Sequence, residues 1–194
     1  VYVRTIANGT NLPSDPVYFS FTDSSGQEEK RYIQTKFLSV PEVSGTKDGN
    51  KDYIVDGNVK TYWRSVHGKL DDPYIPAYVI IELEDPRYVT ALDYVHDSSA
   101  LVFGAMSYGF AKNVDIYVSM DKINWTKVAS KTFADKNNNA QQVVFDEVLQ
   151  AKYVKFDCKS VYDSAYNSLA IGEITLYEDT TAELTPRAEV NYNI

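Results

Sequence analysis

Asp56, Gly57 and Asn58 form a compact turn signal, and Thr61 follows Asp56 by five positions. Glycine at such a turn permits a positive φ, and the short polar side chains bond to nearby backbone. Asp56 and Thr61 can thereby present hard oxygens to the inside of one loop. That donor type suits Ca2+, which takes about six to eight oxygen ligands, many of them backbone carbonyls. The bland alternative is a plain turn in which Asp56 caps its own backbone. Other chemistry-bearing residues are sparse. The two histidines, His67 and His96, read as readily as ordinary surface or core residues as they do as ligand contacts. The single Cys158 rules out an internal disulfide and sits in the apolar alternation Val154, Phe156, Cys158, which reads as a buried, inert thiol. No G-x-S-x-G, H-E-x-x-H, phosphate loop or Cys/His pair is present, so no familiar nucleophile or metalloenzyme motif assembles. Carboxylates are abundant enough to leave a glycosidase-type pair open on composition alone.

Strands must position these residues. Runs such as YVIIEL (78–83), VTALDYV (89–95), VDIYVS (114–119), TKVASKTF (126–133), QQVVF (141–145), KYVKFDC (152–158) and EITLY (173–177) recur with turn signals between them. Short β-runs without a helical period predict an all-β sandwich or jelly roll over residues 31–178. Trp63 and Trp125 follow turns and read as packing residues. Residues 1–22 hold two β-rich runs around an Asn/Gly/Pro/Ser/Asp loop, which predicts a hairpin similar to the last two strands of a fibronectin type III-like domain. Residues 1–30 are thus expected to be this hairpin plus a polar linker, either the remnant of an upstream domain or a docked extension. Residues 179–194 form a polar tail.

The chain has 194 residues, and 19 basic against 27 acidic side chains give a net charge of −8. With a pI near 4.8 it lacks the basic face that nucleic acid or anionic lipid requires. Apolar residues make up 44%, enough to build a core. Sixteen tyrosines against eight phenylalanines favour sheets and wet binding surfaces. No apolar run approaches the length of a membrane span and no leader is recognisable; the sequence opens within a strand-like run, from which a fragment or a mature form is expected.

Asp56-Gly57-Asn58 with Thr61 and Trp63, the Tyr78–Leu83 strand, Val89-Thr90-Ala91-Leu92, VDIYVSMDKINW from Val114 to Trp125, Ala151–Phe156 and the closing IGEITLY from Ile171 to Tyr177 occur in this order. Together they resemble the coagulation factor V/VIII type C (discoidin) domain, and especially its bacterial relatives, the family 32 carbohydrate-binding modules. The resemblance implies a galactose-binding-like jelly-roll β-sandwich with no catalytic residues. It also implies a structural calcium held by Asp56, Thr61 and Glu173 with carbonyls near Tyr53 and Asn58. In the sugar-binding relatives a His just after the motif's Trp, an Arg after the VTAL strand and a nearby Asn hold a galactose-type sugar, with an aromatic ring stacked on it.

The chain departs from that pattern. Arg64 stands directly after Trp63, and the loop HDSSALVFGAMSYGFAKN contains no Arg. Arg64, His67 and His96 are the expected rearranged polar set, with Phe103 or Tyr108 as the stacking ring. Tyr162, Tyr166 and Asn167 are expected at the same end. The segment LVFGAM reads more readily as packed into the core or against the hairpin than as an exposed ligand surface. The expected function is a non-catalytic carbohydrate-binding module of a larger secreted or cell-surface bacterial protein, located extracellularly, on the cell surface or in the periplasm, with glycan and neighbouring domains of the chain as partners. The alternative is a structural or protein–protein module without sugar binding. The −8 charge speaks against factor V-like lipid binding.

Overall fold

The computed structural model describes residues 31–66, 77–97, 109–162 and 168–179, together with the paired strand residues 2–3 and 17–18. The chain divides into two compact units, residues 1–30 and 31–194. In the first, β1 (Tyr2–Val3) and β2 (Val17–Tyr18) pair antiparallel, with Tyr2 opposite Tyr18.

The second unit is built from β3 (Arg31–Tyr32), β4 (Leu38–Val43), β5 (Asp48–Gly49), β6 (Trp63–Arg64), β7 (Ala77–Val95), β8 (Ala111–Ser119), β9 (Thr126–Thr132), β10 (Gln141–Val161), β11 (Ala170–Ile171) and β12 (Glu173–Glu178). One seven-stranded antiparallel sheet runs β3-β12-β7-β10-β8-β9, with β4 also on β7. A second sheet runs β11-β6-β5. Among the described residues no helix is long and apolar enough to cross a membrane.

Its frame is the long β7/β10 ribbon. Tyr94 pairs with Gln141 at one end of that ribbon and Val79 with Phe156 towards the other. A straight strand would separate Tyr94 from Val79 by about 50 Å at roughly 3.3 Å per residue. The Tyr94 and Phe156 rings nevertheless stack with centroids 5.5 Å apart. The ribbon therefore folds over on itself, and its two halves become the two layers of the sandwich. The bend falls where the register slips, between Val144 and Leu149 and between Ala151 and Tyr153. Pro86, on the facing stretch of β7, has no N–H to donate to a ladder. This is why runs that read as separate strands (78–83 with 89–95, and 141–145 with 152–158) belong to single bent strands.

Alternation then sorts the side chains. Val79, Ile81 and Leu83 of β7, Ile116 of β8, and Val154, Phe156 and Cys158 of β10 point inward, and all seven are fully buried. Trp63, Tyr94, Phe133 and Leu92 complete the same core. Each large side chain buried this way contributes about 1.5–3 kcal/mol. Cys158 is the inert core thiol its setting suggested: burial pushes its pKa up to about 12. Folding the ribbon also brings both of its free ends, Ala77/Cys158 and Val95/Gln141, to one end of the sandwich.

Candidate functional site

Two clusters stand at that end. The first is the Asp56 loop. A 3-10 turn at Lys51–Val55 delivers it, capped where the Asn50 side chain accepts the Asp52 N–H at 3.1 Å. Buried Ile54 and Val55 anchor the turn in the core. Gly57 follows with φ +79°, the left-handed region that favours glycine. The Asn58 N–H is donated to Asp56 Oδ1 at 2.8 Å. Thr61 Oγ1 lies 2.9 Å from Asp56 Oδ2 and 2.6 Å from the Asn58 carbonyl. From far along the sequence, Glu173 opens β12 opposite Val95 and accepts the Gly57 N–H at 2.9 Å.

Glu173 is 5% exposed. Burial first, then the neighbouring Asp56 carboxylate, raises its pKa from 4.5 to about 8. Among the described residues no Lys or Arg forms an ion pair with either acid. Acceptors therefore outnumber donors: two carboxylates, the Asn58 carbonyl and the Thr61 hydroxyl crowd one small volume. Such a set fits a hard cation with oxygen ligands. Among the described residues no three His, Cys, Asp or Glu converge, so a cation here would depend on carbonyl and hydroxyl oxygens besides the two carboxylates. Tyr53 sits within the 3-10 turn, its backbone N–H donated to the Asn50 carbonyl. Its side chain is solvent-facing.

The second cluster centres on Arg64. β6 pairs with β11 on one side and β5 on the other, placing Arg64 opposite Ala170 and Asp48. Its Nε and Nη2 both donate to Asp97 Oδ2, at 2.9 and 2.5 Å. The guanidinium carbon lies 4.7 Å over the ring of Tyr62, whose hydroxyl donates to Asp48 Oδ2 at 3.1 Å. Asp97 is essentially buried, whereas a quarter of the Arg64 side chain reaches solvent. A partly exposed guanidinium held in place by a buried carboxylate offers fixed donors to a polyhydroxylated ligand.

The flanks of three loops converge here. The Ser65 N–H is donated to the Leu169 carbonyl, the Ala170 N–H to Gly109 and the Tyr162 N–H to Phe110. The Tyr162 hydroxyl donates to the Phe133 carbonyl at 2.6 Å, so its polar end is held within the fold.

His96 corrects an expectation. It is fully buried, its ring stacked on Phe110 with centroids 3.4 Å apart, and its Nδ1 lies 3.1 Å from the Tyr94 hydroxyl. Since that hydroxyl also meets the Ala170 carbonyl at 3.0 Å, His96 belongs to a core network and does not face ligand. Burial lowers its pKa to about 4, so it is neutral at physiological pH. His67, Phe103, Tyr108, Tyr166 and Asn167 lie outside the described residues, as does the LVFGAM segment. The sequence reading did not single out Asp97, Tyr62 or Asp48. The signal it had was the order of the motifs, which places Arg64 and Asp97 at the starts of two loops that the fold brings together.

The profile of the F5/8 type C domain matches residues 35–174. Among solved structures, the third family 32 carbohydrate-binding module of a family 31 glycoside hydrolase from Clostridium perfringens is similar at a TM-score of 0.67 and 20% identity, covering 76% of this chain and 95% of that one. The family 32 module of NanJ from the same organism, solved with galactose, is similar at 0.62 and 20% identity, covering 76% and 98%. A family 32 module of the family 89 glycoside hydrolase of that organism, solved with GalNAc-β-1,3-galactose, is similar at 0.62 and 15% identity, covering 76% and 99%. No curated protein sequence matches the chain.

Proposed function

The chain belongs to the F5/8 type C domain family, and from that premise we propose that it is a non-catalytic carbohydrate-binding module that takes glycan at the Arg64 end of the sandwich. The observation that carries the reading is the Arg64–Asp97–Tyr62 cluster, at the end where the flanks of three loops converge. Structures similar to this fold were solved with galactose and with GalNAc-β-1,3-galactose. In the cluster, Arg64 supplies planar donors for sugar hydroxyls, while buried Asp97 and the Tyr62 ring fix the guanidinium in place. None of these groups forms the paired acid and base that glycoside hydrolysis requires.

The reading includes a structural Ca2+ held by Asp56, Thr61 and Glu173 with carbonyls of the Tyr53–Asn58 turn. Such an ion would neutralise the two carboxylates and tie the start of the sandwich to its last strand. The module is further proposed to be part of a larger secreted or cell-surface bacterial protein, which it would hold close to glycan. One similar structure is a module of a glycoside hydrolase.

The test is a glycan-array screen of the chain in calcium, repeated with Arg64→Ala. Binding to a defined glycan that the variant loses supports the reading and places the site. Silence across the array from folded protein overturns it in favour of a structural module.

A further inference from the structure

Arg64 does not present a bare positive charge. Its Nε–Nη2 edge, the fork that normally grips a carboxylate in two parallel bonds, is already filled by Asp97 Oδ2 at 2.9 and 2.5 Å. Asp97 is 1% exposed, so it stands beneath Arg64 as a fixed counter-charge and is not screened by solvent. A second carboxylate, Asp48, lies opposite Arg64 on the same small sheet and accepts the Tyr62 hydroxyl. The chain as a whole carries −8.

We propose that Asp97 is the residue that sets charge selectivity at this end: it neutralises Arg64, so that the site takes uncharged sugars and rejects carboxylate-bearing ones such as uronic or sialic acids. The inference rests on the glycan-binding reading above and adds a residue and a ligand class to it. A sugar carboxylate approaching Arg64 meets a guanidinium whose fork is occupied. To displace Asp97 it would have to leave a buried carboxylate without its cation, which is strongly unfavourable. If instead it approached without displacing Asp97, it would be repelled by Asp97 and Asp48. A sugar hydroxyl faces neither penalty, because it carries no charge and can accept from the exposed part of the guanidinium while Asp97 stays in place. Arg64 is a positioned donor here and Asp97 a positioning and selectivity residue. Like-charge juxtaposition of this kind is how interfaces suppress wrong partners.

The test uses sugars matched in everything but charge: galactosides against galacturonosides and glucosides against glucuronosides, titrated calorimetrically against the whole chain in calcium. The unmodified chain should bind the neutral member at least about tenfold more tightly. Asp97→Asn keeps the side-chain volume and removes the charge, and should shrink that preference by about tenfold or more as Arg64 becomes available to the uronate. A merely structural role for Asp97 would weaken both ligands alike and leave the ratio unmoved. Equal or tighter binding of the uronate by the unmodified chain overturns the proposal, as does an unchanged ratio in folded Asp97→Asn. Should that variant not fold, the comparison on the unmodified chain still decides. Failure to bind either member of every pair overturns the glycan-binding reading itself, a different result from binding with the wrong charge preference.

Discussion

The carboxylate of Glu173 accepts the backbone N–H of Gly57 at 2.9 Å across 116 residues of sequence. That bond joins the loop before β6 to the last strand of the sandwich. It does so with an acid whose burial and Asp56 neighbour favour the protonated form. The proposed Ca2+ would reverse that preference by neutralising both carboxylates.

Calcium should therefore stabilise the folded chain, and the effect should require Glu173. At a concentration about one hundred times its Kd, a ligand that binds only the folded state adds about 2.7 kcal/mol. For a domain of this size that corresponds to a rise in melting temperature of roughly 5–10 °C. Because the cation competes with the proton on Glu173, the rise should be larger at pH 8 than at pH 6. Glu173→Gln should lose most of the shift. Differential scanning calorimetry with calcium and with chelator reads both effects, and an undiminished shift in Glu173→Gln would remove the site from this loop.

Gly49 holds the floor of the Arg64 cluster. It has φ +75°, and a Cβ there would stand 2.0 Å from the Tyr62 carbonyl oxygen. Since Gly49 pairs with Trp63 across β5 and β6, the backbone rather than a flexible side chain would have to give way. Gly49→Ala should cost about 2–3 kcal/mol, shift Tyr62 from beneath Arg64 and weaken glycan binding. The equivalent change at Gly57 meets only Thr35 Cγ2, at 3.4 Å, and should cost about 1 kcal/mol from the positive φ alone. Thermal melts of the two variants side by side check the ranking, and a Gly57→Ala chain less stable than Gly49→Ala would contradict it.

Arg64→Lys tests what the fork contributes. Lysine keeps the charge but cannot reproduce the two bonds to Asp97 or the planar stack over Tyr62. Glycan affinity should fall about tenfold or more, equivalent to about 1.4 kcal/mol. Stability should fall by about 1–3 kcal/mol because Asp97 keeps its burial and loses one well-placed partner. Isothermal titration together with a thermal melt separates the two, and full affinity in Arg64→Lys would show that charge alone is what the site uses.

The strand pattern and the order of the motifs were readable because alternation and turn chemistry are local. Inward Val154, Phe156 and Cys158 show their face in five consecutive residues, and Asp56-Gly57-Asn58 announces its turn in three. The bends in β7 and β10 were not readable, since the inward face passes from Val79, Ile81 and Leu83 before the β7 corner to Leu92 and Tyr94 after it, and the break in alternation reads as a gap between two strands. The Arg64–Asp97 pair spans 33 residues, and nothing near either residue signals the other. His96 was readable in principle: it stands one residue past β7, in step with Leu92 and Tyr94, and those two are plainly core. A histidine at the end of such a row is held from within: here the Tyr94 hydroxyl meets Nδ1, while Nε2 is buried with no hydrogen-bond partner among the described residues.

That inward histidine makes acid stability a measurable property of one residue. In the folded chain the His96 pKa is lowered from 6.5 to about 4, because burial opposes the charged ring. The unfolded chain therefore binds a proton on His96 between pH 6.5 and pH 4 that the folded chain does not. Stability from this group is fully present above pH 6.5 and falls as pH drops through that window. The raised pKa of Glu173 works in the opposite sense, so the comparison is made in calcium, which at the proposed site would hold that carboxylate charged. His96→Phe should remain stacked on Phe110 and should flatten the acid limb by on the order of 2 kcal/mol. It should leave glycan affinity at pH 7.5 unchanged, since the ring it replaces is fully buried. Chemical denaturation at pH 7 and pH 5 measures the first effect and titration the second. An acid limb as steep in His96→Phe as in the parent would assign the acid sensitivity elsewhere, and a loss of affinity would return His96 to the binding surface.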